Sequence, residues 1–467
     1  MPDPLEPLSP NWWVARLYKQ LVARRGLVDF YNDYYIGEHP LPWLAPQARD
    51  EFRRILKMTR SNYMGLVCDA SAERAQIEGF RLGPDEDSAD RDTWRIWQAN
   101  NLDADSDMGI LESLISGQSY TLVAPNPTDQ ATPHIWIEHA SQAIVEYQPG
   151  SNRRVRAAGL KVWDDDWTQE IHATLYLPSQ IFKFKAPRPR SGAAPSNPEW
   201  VPREVPGEAW PAVNPLGVVS LIEIPNNPRL LTGGVSELSD VTDVQDRINK
   251  TIADRLITQD YGAFPQKWAV AWPNEDDDGN PNTIDIGRNR MVTTEVQETK
   301  FGQWDAAPLD PYSAAKREDV KDIASRTRTP AQYLLGELNN VNGETLKASE
   351  SGLVSKVRQR MRSWAEGYEE TMRLARRAAG LDASSAAAME TIWRNPEFRT
   401  EAELTDAVVK RVQAGISSLR QGREDVGYTQ TQIERMEQDD REAAVDPLLE
   451  RALRETADAP VGSGPLP

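Results

Sequence analysis

Residues Ser236–Gln259 read SELSDVTDVQDRINKTIADRLITQ. Leu238, Val241, Val244, Ile248, Ile252 and Leu256 recur at steps of three and four, the period of one face of an α-helix. This predicts a helix of about 24 residues, roughly 36 Å long at 1.5 Å per residue. Ser236 serves as its N-cap, and Gly262 with Pro265 as its stop. A helix with a single apolar stripe is not stable alone in water, so the segments around it decide what it packs against.

Downstream, 264–311 holds short β-like runs, Lys267–Ala271 and Met291–Val296, around the acidic turn Glu275-Asp276-Asp277-Asp278-Gly279. A second helix is expected over Tyr312–Arg326, with Pro311 just before it. A polar loop, Thr327–Gly343, follows, in which Ala331–Leu335 has room for one helical turn. The longest helix is expected over Glu344–Ala379, with Leu353, Val357, Met361, Trp364, Tyr368 and Met372 on one face. Thr400–Ala414 and Thr429–Asp439 read as further helices punctuated by Gly415, Gly422 and Gly427. Pro460–Pro467 reads as disordered.

Upstream, Ser9–Arg25 predicts a helix with Trp13, Leu17 and Leu21 on one stripe. Arg49–Ala75 predicts a second amphipathic stretch and Asp105–Ser116 a third helix. A strand is expected at Tyr120–Val123. From His134 to Phe184 the period drops to two, with a turn at Asp164-Asp165-Asp166, the pattern of an antiparallel sheet. Between Pro178 and Pro228 lie 11 of the 34 prolines, which excludes long helices there and leaves extended chain plus a strand at Val218–Ile224. The fold class is therefore α+β, mainly helical.

A chain of 467 residues exceeds one ordinary hydrophobic core and implies several packed regions. Its 53 basic and 71 acidic residues give a net charge of −18. Affinity for nucleic acid by phosphate neutralisation needs the opposite balance. Cys68 is the only cysteine, so neither an intrachain disulfide nor a thiolate metal cluster is expected. No signal-like leader and no run of 18 apolar residues is present, so no membrane partner is expected.

The sequence carries no phosphate loop, no dinucleotide fingerprint and no nucleophile elbow. His134 and His139 are five apart on a strand and fall on opposite faces. Asn274, Asp276, Asp278, Gly279 and Asp285 trace an EF-hand loop only loosely, since Pro281 interrupts it and no helices flank it. No enzyme activity, metal or cofactor is expected.

Five segments together carry a resemblance: YYIGEHPL (Tyr34–Leu41), SNYMGLVCDASAERAQIEGFRL (Ser61–Leu82), SELSDVTDVQDRINKTIADRLITQDYGAFPQKW (Ser236–Trp268), TPAQYLLGELNNVNGETLKASESGL (Thr329–Leu353) and NPEFRTEAELTDAVVKRVQAG (Asn395–Gly415). In order and spacing they are similar to the portal proteins of tailed double-stranded DNA phages, in particular the siphophage group of actinobacterial phages. The resemblance implies a ring of twelve subunits at one capsid vertex, a channel for packaging and ejecting double-stranded DNA. It implies terminase, the head-to-tail adaptor, and the major capsid and scaffold proteins as partners. The ring belongs to the virion and assembles in the host cytoplasm. The rival readings are a head-morphogenesis enzyme such as a metal-dependent nuclease, and a minor capsid protein.

Carried onto this numbering, the resemblance implies a wing (1–231), a stem helix (232–263), a clip (264–311), a second stem helix (312–326) and a tunnel loop (327–343). A long helix (344–380), a crown (381–440) and an acidic, partly disordered tail (441–467) complete it. The Pro-rich stretch Pro187–Pro215 departs from the family pattern and blurs the outer wing.

In this frame Asn339, Asn340, Asn342 and Gly343 are the tunnel-loop residues near DNA, short and uncharged; outside it they read as an ordinary turn. Lys321, Lys347, Lys356 and Arg358 are expected either to touch phosphate weakly or to pair with neighbouring acids. Trp268 and Trp272 face one side of a strand, as partner contacts or as cover for a small clip core. Val244, Ile248 and Ile252 pack either between subunits or inside one.

Overall fold

The computed structural model describes residues 6–44, 52–83, 89–151, 153–189, 195, 198–263, 267–271, 298–336, 343–382, 384–397, 401–429 and 431–442. The Met291–Val296 run, the acidic turn with its EF-hand-like positions, and the tail beyond 442 lie outside them.

Helix α1 (Pro10–Ile36) begins where Ser9 accepts a bond from the Trp12 amide at 3.2 Å, and ends on the left-handed Gly37. It runs well past the expected Arg25 because it serves two cores. Its first half buries Trp13, Val14, Leu17, Tyr18 and Leu21 against a sheet, and further on Tyr34 enters a second core.

Among the described residues of the expected Arg49–Ala75 stretch there are two helices, α2 (Arg53–Lys57) and α3 (Met64–Ala72). The break falls at Asn62, whose Oδ1 accepts from the Met64 and Gly65 amides and starts a new helix. Strand β1 (Ile77–Arg81) and α4 (Arg91–Ala99), capped by Asp90, were not anticipated. They precede α5 (Leu102–Ser116).

The β region divides into two antiparallel sheets. β2 (Gln118–Ala124) lies between β3 (His134–Glu138) and β10 (Leu221–Pro225). The larger sheet runs β4 (Ala143–Tyr147), β5 (Arg156–Asp165), β6 (Glu170–Tyr176), β7 (Gln180–Pro187) and β8 (Val201–Pro202), with β9 (Ala212–Val213) also on β7. Leu175 sits opposite Leu160 and Phe182, so alternate residues face α1.

Helix α6 (Thr242–Ala263) starts six residues later than expected. Ser236 caps a turn instead, accepting from the Leu238 amide, while the Glu237 amide is spent on Leu114 O. The chain crosses itself there: a Cβ on Gly234 would lie 1.9 Å from Gly117 O. The hairpin β11 (Lys267–Val270) and β12 (Lys300–Gln303) leads to α7 (Asp310–Thr327), with Pro311 inside its first turn. The short α8 (Ala331–Leu335) follows.

The long α9 (Gly343–Ala378) buries its whole apolar stripe, Leu353 to Met372, in the main core. It crosses β10 so closely that a Cβ on Gly367 would stand 2.4 Å from Ile224 Cδ1. Strand β13 (Glu390–Trp393), also unanticipated, pairs with β1. Helices α10 (Glu401–Gln413) and α11 (Leu419–Val426) and a helical stretch at 431–442 close the described chain. Gly422 is no punctuation mark. It sits inside α11, where its missing side chain admits Val408 and Val412.

Candidate functional site

The region that opened the sequence reading forms an antiparallel pair of helices. Val244, Ile248 and Ile252 on α6 are buried in the same core as Val320 and Ile323 on α7. These three side chains are core of a single chain. Within one chain Val244 and Ile248 are 1% and 0% exposed, and Ile252 is 8% exposed.

Outside this core the pair is laced by charge. Arg247 reaches Asp319 at 3.0 Å and Asp322 at 2.9 Å. Asp322 is held below the usual carboxylate range by its bonds to Arg326 and Arg247. On the opposite side Gln245 and Asn249 are buried and accept the Tyr63 and Ser61 amides. Asn249 also meets His39 Nε2 at 2.5 Å, and burial lowers the affinity of that imidazole for a proton.

On β11, Trp268 is opposite Gly302, and the indole lies across the space where a Cβ would be. Trp268 thus covers its own hairpin and remains partly exposed. Trp272 lies outside the described residues.

Helices α8 and α9 are tied to each other. Tyr333 donates to Glu350 at 2.6 Å and Gln332 to Ser349 at 2.8 Å. Arg74 braces both elements, at 2.7 Å from the Tyr333 hydroxyl and 3.2 Å from Glu350. Asn339, Asn340 and Asn342 lie outside the described residues, and Gly343 is the first residue of α9.

The four basic residues named from sequence have separate fates. Lys321 pairs with Glu318, Lys347 with Glu403 and Arg358 with Glu397, each at 2.7 Å and each partly exposed. Lys347 and Arg358 line a polar groove of about 880 Å³ with Ser351, Arg362 and Glu403.

Lys356 corrects the expectation of a phosphate contact. It is 3% exposed and bonds Thr327 O at 2.8 Å and Glu237 at 3.2 Å. Arg360, one turn on, meets the other Glu237 oxygen at 3.1 Å and Asn227 at 2.8 Å. Burial alone would push the Glu237 carboxyl up, but the two cations outweigh it and hold it below its ordinary value. Sequence reasoning missed this cluster because Glu237 is more than 100 positions from α9. The one hint was a Lys and an Arg four apart on the same helix.

Among the described residues no group of three or more His, Cys, Asp or Glu side chains could hold a metal ion. His139 contacts Glu112 at 3.0 Å and Ser141 at 2.7 Å, while His134 lies beside Trp136. The Cys68 thiol is buried, and burial raises its pKa. No helix among the described residues is long and apolar enough to cross a membrane.

A family model described as phage portal protein, SPP1 Gp6-like, matches residues 17–446, which include every element above except the first turns of α1. The chain belongs to this family of phage portal proteins. Two curated relatives carry the name portal protein. That of Mycobacterium phage D29 is 30% identical over 422 residues, 87% of this chain and 84% of the relative. That of Mycobacterium phage L5 is 30% identical over 482 residues, 96% and 93% of the two chains. The neck of a native GTA particle, solved with C12 symmetry, is similar at a TM-score of 0.42 and 13% identity, covering 83% of this portal-family chain and 95% of that one. So distant a likeness carries no argument about assembly.

Proposed function

We propose that this portal-family chain assembles as a ring of twelve copies at one capsid vertex, forming the channel through which double-stranded DNA is packaged and ejected. The packaging terminase, the head-to-tail adaptor, and the major capsid and scaffold proteins dock on that ring. In this reading α6 and α7 are the stem, the β11–β12 hairpin belongs to the clip, and the elements from 381 to 440 form the crown.

The observation that supports the reading is the tie between the two helices that flank 337–342 in sequence, made by Tyr333 to Glu350 and Gln332 to Ser349. Asn339, Asn340 and Asn342 then meet the duplex as uncharged groups, and the surplus acid of the chain keeps DNA from adhering to the wall. Basic side chains already paired with acids, as at Lys321, Lys347 and Arg358, suit a conduit better than free ones would.

Electron micrographs of the purified protein test the reading. Rings with an axial channel wide enough for a duplex are the expected result, and monomers or sheets overturn it. DNA affinity of the ring should be weak and fall with salt.

A further inference from the structure

Two apolar features of this fold are left exposed among the described residues. The first is the turn after β10. Arg229 and Gly233 exchange backbone bonds at 2.9 and 3.2 Å, and Gly233 closes the turn at φ +72°. Arg153, itself tied to Glu223, packs beneath Gly233. At the tip, Leu230 and Leu231 are 81% and 98% exposed. Two adjacent leucines held out on a braced turn form a knob that water disfavours.

The second is the solvent face of α1. Ala23, Gly26, Leu27 and Phe30 follow one another at helical spacing, so they share a stripe. Leu27 is 54% and Phe30 39% exposed, and nothing lies within 4 Å of where a Cβ on Gly26 would be. The stripe therefore has a notch between larger side chains. Asp29 and Asp33 border it, exposed and with no ion pair among the described residues. Arg229, beside the knob, is equally exposed and unpaired among them.

We propose that the Arg229–Leu230–Leu231 turn of one copy of this chain seats on the Ala23–Phe30 stripe of the next copy, with Arg229 facing Asp29 and Asp33. Knob and notch are different patches, so the contact is heterologous and repeats from copy to copy, as a ring requires. Opposite charges at its margin set its direction and disfavour knob-to-knob pairing. The proposal rests on the ring reading above and adds which surfaces meet.

Oxidative crosslinking of the full chain tests it. Phe30→Cys combined with Leu230→Cys should give a ladder of covalent multimers on denaturing gels, while either single variant gives none, the native Cys68 being buried. Leu230→Asp with Leu231→Asp should raise the concentration for half-assembly, read by mass photometry, by at least about tenfold. Asp33→Arg should weaken assembly, and adding Arg229→Asp should recover it. Rings without a ladder, or rings indifferent to the combined Leu230→Asp and Leu231→Asp substitutions, overturn this contact and leave the ring reading standing. Dimers from Phe30→Cys alone overturn it in favour of an isologous face. A wild-type chain that stays monomeric at all concentrations overturns both readings.

Discussion

Lys356 Nζ lies 3.2 Å from Glu237 Oε1, and the two side chains are only 3% and 7% exposed. The pair joins α9 to the segment that leads into α6, and Arg360 supplies a second cation to the same carboxylate. A carboxylate between two buried cations is a structural joint, costly to break from one side only.

Glu237→Gln should therefore destabilise the chain by about 3–5 kcal/mol, since it leaves two buried cations without a counter-charge. Denaturant unfolding measures this. Because the folded carboxyl titrates below its ordinary 4.5, the stabilisation is present above about pH 4.5 and disappears as pH falls through the lower folded value. In the variant that acid-side loss should be absent.

Glu78 behaves in the opposite sense. Burial, with help from Glu424 and Asp425 and against Arg394, pushes its carboxyl up to about 7. The folded state then holds a proton that the unfolded chain has released, so stability falls as pH rises from about 4.5 to 7 and levels off beyond. Glu78→Gln should flatten that slope and be the more stable protein at pH 8, by up to about 3 kcal/mol. Thermal unfolding of both proteins at pH 5 and pH 8 decides it. An equal gain at both values contradicts the account.

Gly367→Ala sets helix propensity against packing. The methyl gains about 1 kcal/mol in a helix interior, yet it would stand 2.4 Å from Ile224 Cδ1 and 2.9 Å from Glu223 O. Overpacking costs about 1–3 kcal/mol, so the variant should be destabilised overall. A rise in melting temperature would show that α9 and β10 are free to separate.

Neutralising the exposed pairs should separate stability from DNA contact. Lys321→Gln, Lys347→Gln and Arg358→Gln remove ion pairs at the surface, each worth about 0–1 kcal/mol. The triple variant should fold nearly as well as the parent. If these side chains exchange acid for phosphate in the channel, its DNA affinity at low salt should drop and its salt dependence become shallower. An unchanged salt slope assigns all three to the acids alone.

Much of the helical frame was legible because long amphipathic stripes announce themselves, as Leu353 to Met372 do on α9. What escaped were elements defined by distant partners. IEGFR at β1 has no alternation, and it is a strand only because Glu390–Trp393 lies beside it. RDTWRIWQA at α4 is short and charged, and its cap, Asp90, is also held by Arg376 of α9 at 2.6 Å. Lys356 sits in a helix whose exposed face carries similar residues, and only the far-off Glu237 tells it apart. The candidate site was legible in its order of elements, while the pairing of each charge depended on tertiary neighbours.

The β1–β13 pair has a consequence for synthesis. Gln76 and Arg394, which bond across its end, are 318 positions apart. At ~5–20 residues per second a ribosome needs about 15–60 s to deliver the second strand after the first. During that interval Phe80 and Trp97, which touch in the finished core, have only part of their surroundings. The nascent chain must keep that edge from foreign strands until the second strand arrives, so folding of this region waits on residues far downstream and gives a chaperone an edge to protect.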